Sequence, residues 1–150
     1  MKLEIDTKRA RSGLTSLKAG IFNAEVLIIK AGIKAAEDSA KATTLWKDQT
    51  GETRKSIHGV FERGAYGPRG YVEAKGASYW LENGTRPHEI VARRKQALHF
   101  FVNGQEFFRK RVQHPGTAEK PFMAQARERG EMAVEYAADF YIQYAVDHAR

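Results

Sequence analysis

Histidine is the residue type in this chain with the widest range of chemistry, because its imidazole can bind a metal ion or exchange a proton near neutral pH. The five histidines are His58, His88, His99, His114 and His148. No two of them have the His-Glu-x-x-His spacing that turns two imidazoles toward one zinc ion. His88 and His114 both fall in loops near a hairpin that is predicted over residues 97–112. A metal site made from this pair therefore stays open as an alternative. The spacing favours structural or surface histidines, and we expect no metal site.

Other catalytic arrangements are equally hard to find in the sequence. The chain has no cysteine, which excludes thiolate nucleophiles and cysteine-ligated zinc. Ser56 and Ser78 lie outside any Gly-x-Ser-x-Gly nucleophile turn. The glycine patterns of phosphate and dinucleotide loops are also absent. We therefore expect no catalytic residue, no bound cofactor and no enzyme activity.

Basic residues are concentrated on both sides of the predicted hairpin. Arg93-Arg94-Lys95 precede it and Arg109-Lys110-Arg111 lie at its far end, and with Arg86 these residues define a predicted basic rim. Such a rim could contact DNA phosphates or an acidic protein surface. Alternatively, its charges keep an edge strand from pairing with other chains. The net charge of +7 fits both interpretations, so both stay open.

A long helix is predicted at the start of the chain, with Ser12 as its N-cap. Apolar and small residues recur there at spacings of three and four, which places them on one stripe: Leu14, Leu17, Ile21, Ala24, Ile28, Ala31 and Ala35. The stripe weakens before Leu45. A helix of this length either lies across a sheet or reaches beyond its own domain to a neighbour.

Strand signals fill the middle of the chain. Asn103-Gly104 between two β-prone runs over 97–112 predicts a hairpin with a type I′ turn. Shorter strands are expected around residues 58–61 and 71–74, with a short helix over 77–83 that ends at Gly84. Residues 63–70, 86–96 and 111–120 have the composition of loops.

The chain is expected to close with a second long helix after Pro121. Helical spacing places Ala133, Tyr136, Ala137, Phe140 and Tyr144 on one face, interpreted as its core face.

The pattern as a whole predicts an α+β fold in a single domain, residues 1–150. An antiparallel sheet of about four strands, including the hairpin, is packed by the N-terminal and C-terminal helices. In each of the pairs Phe100-Phe101 and Phe107-Phe108, one ring must face each side of the strand. Rings on an uncovered sheet face would mark a subunit interface.

Two motifs flank the hairpin: Tyr79–His88 (YWLENGTRPH) and His114–Thr117 (HPGT), the latter followed by Lys120-Pro121-Phe122. With the Asp48–Ile57 segment, which carries an inserted Gln49, this order resembles the neck or tail-completion proteins of long-tailed bacteriophages. The resemblance covers most of the chain.

The resemblance implies a structural virion protein rather than an enzyme. Such a protein is made in the cytoplasm of the bacterial host and joins or completes the head–tail interface, typically as a ring. Its partners would be other neck or tail proteins and further copies of itself, with non-specific DNA contact by the rim. A monomer in solution is compatible with a ring in the particle. No membrane partner is expected, because the apolar run Val26–Ile29 is too short to span a bilayer.

The residues expected to face a protein partner or DNA are the basic rim together with Trp80, His88 and His114. The alternative function is a small basic nucleic-acid-binding protein or nuclease from a mobile element, with the rim and its histidines as the site.

Overall fold

The computed structural model describes residues 7–48 and 50–149, so Gln49 lies outside the described residues. The expected α+β class with long N-terminal and C-terminal helices is confirmed. The elements in chain order are α1 (Lys8–Ala42), α2 (Glu52–Ser56), β1 (His58–Gly64), β2 (Gly67–Glu73), α3 (Ser78–Asn83), β3 (His88–Val91), β4 (Leu98–Val102), β5 (Gln105–Arg109), β6 (Arg111–His114) and α4 (Phe122–Asp147).

These elements form two compact units. Unit 1 contains the described residues up to Gly76 and those from Phe122 onward, and unit 2 contains Ala77–Pro121. The strands form antiparallel pairs rather than one sheet of about four strands: β1 with β2 in unit 1, and β3 with β6 and β4 with β5 in unit 2. The run from Gln105 to His114 changes partner at Lys110, so a single predicted strand becomes two.

The glycine-rich segment 63–70, predicted as a loop, is the end of the β1–β2 hairpin. Its register runs from His58 opposite Glu73 to Gly64 opposite Gly67. Glycine is needed within these strands because the helix comes very close to their backbone. A Cβ atom at Gly59 or Gly70 would overlap the side chain of Ile33 in α1. Segments 86–96 and 111–120, also predicted as loops, contain β3 and β6.

Helices α1 and α4 pack antiparallel through small residues. Gly20 faces Ala145, whose Cβ would lie 3.4 Å from a Cβ at Gly20, and Gly32 faces the carbonyl oxygen of Gly130. The buried cluster between the helices is Ala24, Ile28, Ala137 and Ala145, with Ala31, Val134, Ala138 and Tyr141 packed against it. The part of the predicted α1 stripe from Ala24 to Ala31 therefore does face a neighbouring helix.

Two details of the helix predictions are wrong. α1 begins at Lys8 after Thr7, so Ser12 is an exposed residue inside the helix rather than its N-cap. On α4, Tyr136, Phe140 and Tyr144 are 82%, 62% and 55% exposed. The buried face of α4 is instead its row of small residues, because the close approach of α1 leaves no room for aromatic rings.

The corner between α1 and β1 is held by a carboxylate and a guanidinium. Asp48 accepts the N–H groups of Gly51 at 2.9 Å and Arg54 at 2.8 Å. The Arg54 guanidinium donates to the carbonyl oxygens of Thr43 at 2.6 Å and Trp46 at 3.3 Å, and it also lies over the Trp46 ring. The Asp48–Ile57 motif therefore satisfies carbonyl groups that would be left open just after α1.

A second buried group lies beside this corner. Ile57 and Phe122 are fully buried, and the rings of Trp46 and Phe122 meet edge to face with centroids 5.5 Å apart. Phe122 is the first residue of α4. The Trp46 ring therefore contacts both Arg54 of the corner and Phe122 at the start of α4.

Replacing Gly32 with Ala is expected to lower the free energy of unfolding by about 1–3 kcal/mol, because the added methyl overlaps Val134 on α4. Gly13→Ala is the matched control on the same helix, since a Cβ at Gly13 meets nothing within 4 Å. The control should stabilise the protein by about 0.5–1 kcal/mol through helix propensity. Urea unfolding of both variants measures the difference, and equal effects would contradict the packing described here.

Glu37 ties α1 to β1. Its carboxylate pairs with Lys41 and accepts the Gly59 N–H at 2.8 Å. The hydrogen bond from Lys41, followed by that from Gly59, lowers the pKa of Glu37 below its usual value. A carboxylate with a lowered folded-state pKa stabilises the fold above its unfolded-state pKa, and this contribution is lost as the pH falls through the folded-state pKa.

Glu37→Gln is therefore expected to cost about 1 kcal/mol at neutral pH and to flatten the loss of stability below pH about 4.5. Asp38→Asn is the control, because the ion pair of Asp38 with Lys34 is exposed and is expected to contribute little. Thermal unfolding across pH 3 to 7 measures both. An unchanged acid profile in Glu37→Gln would show that Glu37 does not contribute in this way.

Candidate interaction surface

The two motifs that flank the hairpin pair with each other in unit 2. Thr85 and Thr117 form an isolated antiparallel bridge in which each N–H donates to the other carbonyl oxygen, at 2.9 and 3.0 Å. Gly84 and Gly116 have φ angles of +65° and +89°. A Cβ on either glycine would overlap backbone atoms of the opposite motif. We call this arrangement the glycine clasp.

The clasp explains why each motif contains Gly-Thr. Positive φ angles favour glycine, and the opposing backbone excludes any side chain at those positions. The Lys120 N–H also donates to the Leu81 carbonyl oxygen at 2.8 Å. The prediction that the short helix ends at Gly84 is confirmed, because α3 runs to Asn83. The αL conformation expected for Gly84 is wrong, since its ψ angle is −176°.

His88 and His114 lie directly opposite each other in the β3–β6 pair, with ring centroids 5.1 Å apart. His88 Nδ1 is 2.8 Å from the Arg86 carbonyl oxygen, so this nitrogen carries the proton that it donates. His114 Nδ1 accepts the Gly116 N–H at 3.1 Å, so in the neutral ring its proton lies on Nε2.

These tautomers bear on metal binding. In neutral His88 the Nε2 atom has a lone pair that a metal ion could accept. In neutral His114 the Nε2 atom carries the hydrogen, so binding a metal there would require the Gly116 contact to break. Within residues 7–48 and 50–149, no group of three or more histidine, aspartate and glutamate side chains is arranged to hold a metal ion. Both rings are tied to the backbone of the motif loops by their Nδ1 contacts with Arg86 and Gly116.

The clasp borders an open groove in unit 2 that includes several of the predicted site residues. Its lining includes Trp80, Arg86, His88 and His114, together with Tyr79. The rings of Tyr79 and Trp80 meet edge to face with centroids 5.0 Å apart, and both are more than half exposed. Exposed aromatic rings beside a cation suit contact with a protein surface or with stacked bases.

The residues of the predicted basic rim are all exposed. Its two clusters begin beside the same backbone contact, because the Ala92 N–H donates to the Lys110 carbonyl oxygen at 2.9 Å. Arg111 lies 3.5 Å from Glu89, which offsets part of its charge. Arg109 donates to the Phe108 carbonyl oxygen at 2.9 Å. The two basic clusters are thus held in place by the β3–β6 and β4–β5 strand pairs.

The β4–β5 hairpin has the Asn103-Gly104 turn that the sequence predicts, with φ angles of 52° and 80°. Its two faces differ as expected from the adjacent phenylalanine pairs. Phe100 and Phe107 stack and are partly buried, whereas Phe101 and Phe108 are exposed. His99 stacks on Phe108 with centroids 4.7 Å apart. The exposed side of the hairpin is therefore aromatic.

A third aromatic surface lies on α4 and was interpreted from the sequence as core. Tyr136, Phe140 and Tyr144, spaced by four residues, form what we call the α4 aromatic face. Phe140 stacks on Tyr144, which stacks on His148 with centroids 4.0 Å apart. Asp139 and Asp147 line the same shallow groove. Acidic residues interleaved with the aromatic ones were the signal that could have identified an exposed face.

Comparison with known proteins identifies no relative: no protein-family description, curated protein or solved structure matches this chain. Among the described residues, no helix is both long enough and apolar enough to cross a membrane.

Gly116→Ala is expected to open the glycine clasp. The matched control is Gly104→Ala, which also places Ala at a positive φ but in open space. We expect a cost of about 1–2 kcal/mol for the control and a further 1–3 kcal/mol, roughly, for Gly116→Ala from the collision with the Thr85–Arg86 backbone. Hydrogen exchange at the Thr85 and Thr117 amides measures the opening, and protection equal to that in the control would refute the clasp.

Proposed function

We propose that this chain is a structural virion protein of a tailed phage or prophage, joining or completing the head–tail interface as one subunit of a ring. The proposal rests on the order of motifs that resembles neck and tail-completion proteins. The observation that carries it furthest is the exposure of ordered aromatic rings on two separate elements, the β4–β5 hairpin and α4. Clustered exposed rings of this kind are typical of surfaces that a protein partner covers.

Assembly would proceed by surface complementarity. The helix pair with its β1–β2 hairpin provides a packed body, and the clasp fixes the motif loops of unit 2. The aromatic faces would supply the apolar area of contacts between subunits. The basic rim would lie against an acidic neighbour or against DNA phosphates, where it contributes attraction without reading sequence.

The nucleic-acid-binding alternative draws on a different observation, the groove in which Trp80, Arg86 and the histidine pair come together. A site of that kind binds single-stranded nucleic acid through base stacking and phosphate attraction, with strong salt dependence. The motif order and the aromatic faces outside the groove favour the virion role.

Quantitative mass spectrometry of purified particles from the source strain tests the proposal. We expect the chain at a constant number of copies per particle relative to the portal protein, and that number should be unchanged by further purification. An abundant basic protein of the host cytoplasm serves as the contamination control, and its level should fall with each purification step.

A deletion strain supplies the contrary outcome. Loss of the chain should leave heads and tails unjoined or incomplete, and a plasmid copy should restore infectious particles. Complete, infectious particles formed without the chain would overturn the virion role. Salt-dependent DNA binding by the purified chain would then support the alternative function.

A further inference from the structure

α1 extends well beyond the end of α4. The two helices are antiparallel, with Gly20 opposite Ala145. From Gly20 back to Lys8 the helix rises about 18 Å, whereas from Ala145 to the end of α4 at Asp147 the rise is about 3 Å. The first turns of α1 therefore project about 15 Å past α4. We call Lys8–Lys18 the α1 overhang.

The overhang has the features of a segment that packs against another surface. Leu14 belongs to the apolar stripe of α1 but is 66% exposed, and Ile21, just after the overhang, is 38% exposed. From residue 8 to residue 15 every side chain is exposed. The apolar stripe of α1 thus continues past the point where the chain's own α4 covers it.

Charge distinguishes the overhang from the rest of the helix pair. It carries Lys8, Arg9, Arg11 and Lys18 and no acidic residue. By contrast, α4 from Gly130 to Asp147 carries four acidic residues and no Lys or Arg. The acidic residues are Glu131, Glu135, Asp139 and Asp147. In a chain of net charge +7, this segment is a concentrated acidic surface.

The acidic segment is also the one that bears the α4 aromatic face. Asp139 and Asp147 border the groove formed with Tyr136, Phe140 and Tyr144. The last turn of α4 has no basic residue, and the first turn of α1 has no acidic one. Opposite charges near each of these helix ends would be favourable for both helices.

We infer that the α1 overhang of one copy docks on the α4 aromatic face of a second copy of this chain. Leu14 and its apolar neighbours would cover the rings, and the basic residues would lie beside Asp139 and Asp147. The donor and acceptor surfaces are different patches, so repetition of the contact closes a ring, and reciprocal exchange closes a dimer. This inference rests on the proposed ring assembly and specifies its contact.

Charge reversal tests the contact in purified protein. Arg9→Glu/Arg11→Glu reverses the overhang, and Asp139→Lys/Asp147→Lys reverses the acceptor. Each variant alone should lose self-association, whereas a 1:1 mixture should regain it, because each altered surface then meets a complementary one. Acidic side chains near the N-terminus of a helix stabilise it, so the Arg9→Glu/Arg11→Glu variant should remain folded.

The matched control is Arg127→Glu/Arg129→Glu, which makes the same change of charge on α4 outside the aromatic face. It should self-associate as the original chain does. Native mass spectrometry at low and high salt measures the original chain, the two charge-reversed variants, their mixture and the control. Failure of the mixture to recover, with all variants folded by circular dichroism, would overturn the proposed contact.

Cross-linking locates the contact, since the chain has no cysteine of its own. A ¹⁵N-labelled Leu14→Cys variant mixed with unlabelled Phe140→Cys should give a mixed-isotope product with a short bis-maleimide. Glu128→Cys, exposed on α4 outside the face, is the matched control and should give little product.

Two results of the cross-linking experiment would overturn the inference. One is a Leu14–Phe140 yield no higher than that of the control. The other is preferential linkage of Phe140→Cys to Phe101→Cys, which would assign the face to the β4–β5 hairpin. Particle composition decides the proposed virion role separately. If the chain is present in particles but the Leu14–Phe140 cross-link does not form, this contact alone is rejected. If the cross-link forms but the chain is absent from particles, the virion role alone is rejected.

Discussion

The close approach of α1 and α4 is the constraint on which unit 1 depends. Gly32 and Gly130 allow the two helix backbones to come within contact distance, so their interface contains mostly small side chains. The neighbouring residue Ile33 presses on Gly59 and Gly70 of the β1–β2 hairpin. One turn of α1 therefore sets the position of both α4 and the hairpin.

The same constraint accounts for the exposed rings. An interface built from glycine and alanine has no volume for Tyr136, Phe140 or Tyr144. These side chains are displaced to the far side of α4, where acidic residues surround them. The packing that holds the helix pair together thus also leaves these aromatic rings on its outer surface.

Local signals in the sequence predicted those elements whose geometry depends on a few adjacent residues. Asn103-Gly104 specified the hairpin turn, and Gly84 specified the end of α3. Gly70 in segment 63–70 was misread because its role depends on Ile33, which lies about forty residues earlier in the chain. The core face of α4 was misread for a similar reason, since helical spacing alone allowed both an aromatic face and a small-residue face.

The same distinction between local and long-range signals applies to the candidate site. The motifs around Gly84 and Gly116 and the basic clusters were visible in the sequence, as was the two-sided placement of the phenylalanine pairs. The pairing of the two motifs was not visible, because a Thr85–Thr117 bridge spans thirty-two residues and leaves no periodic pattern. The tautomers of His88 and His114 depend on backbone contacts that only the folded chain provides.

Unit 2 is one continuous stretch whose two ends are tied to each other. The Lys120–Leu81 hydrogen bond and the Thr85–Thr117 bridge close the stretch near both of its boundaries with unit 1. A segment whose two ends are tied to each other can change in its interior without moving those ends. Selection can lengthen, shorten or exchange its interior strands without altering the glycine contacts of the helix pair. The surface of unit 2 can therefore change in sequence independently of the packing between α1 and α4.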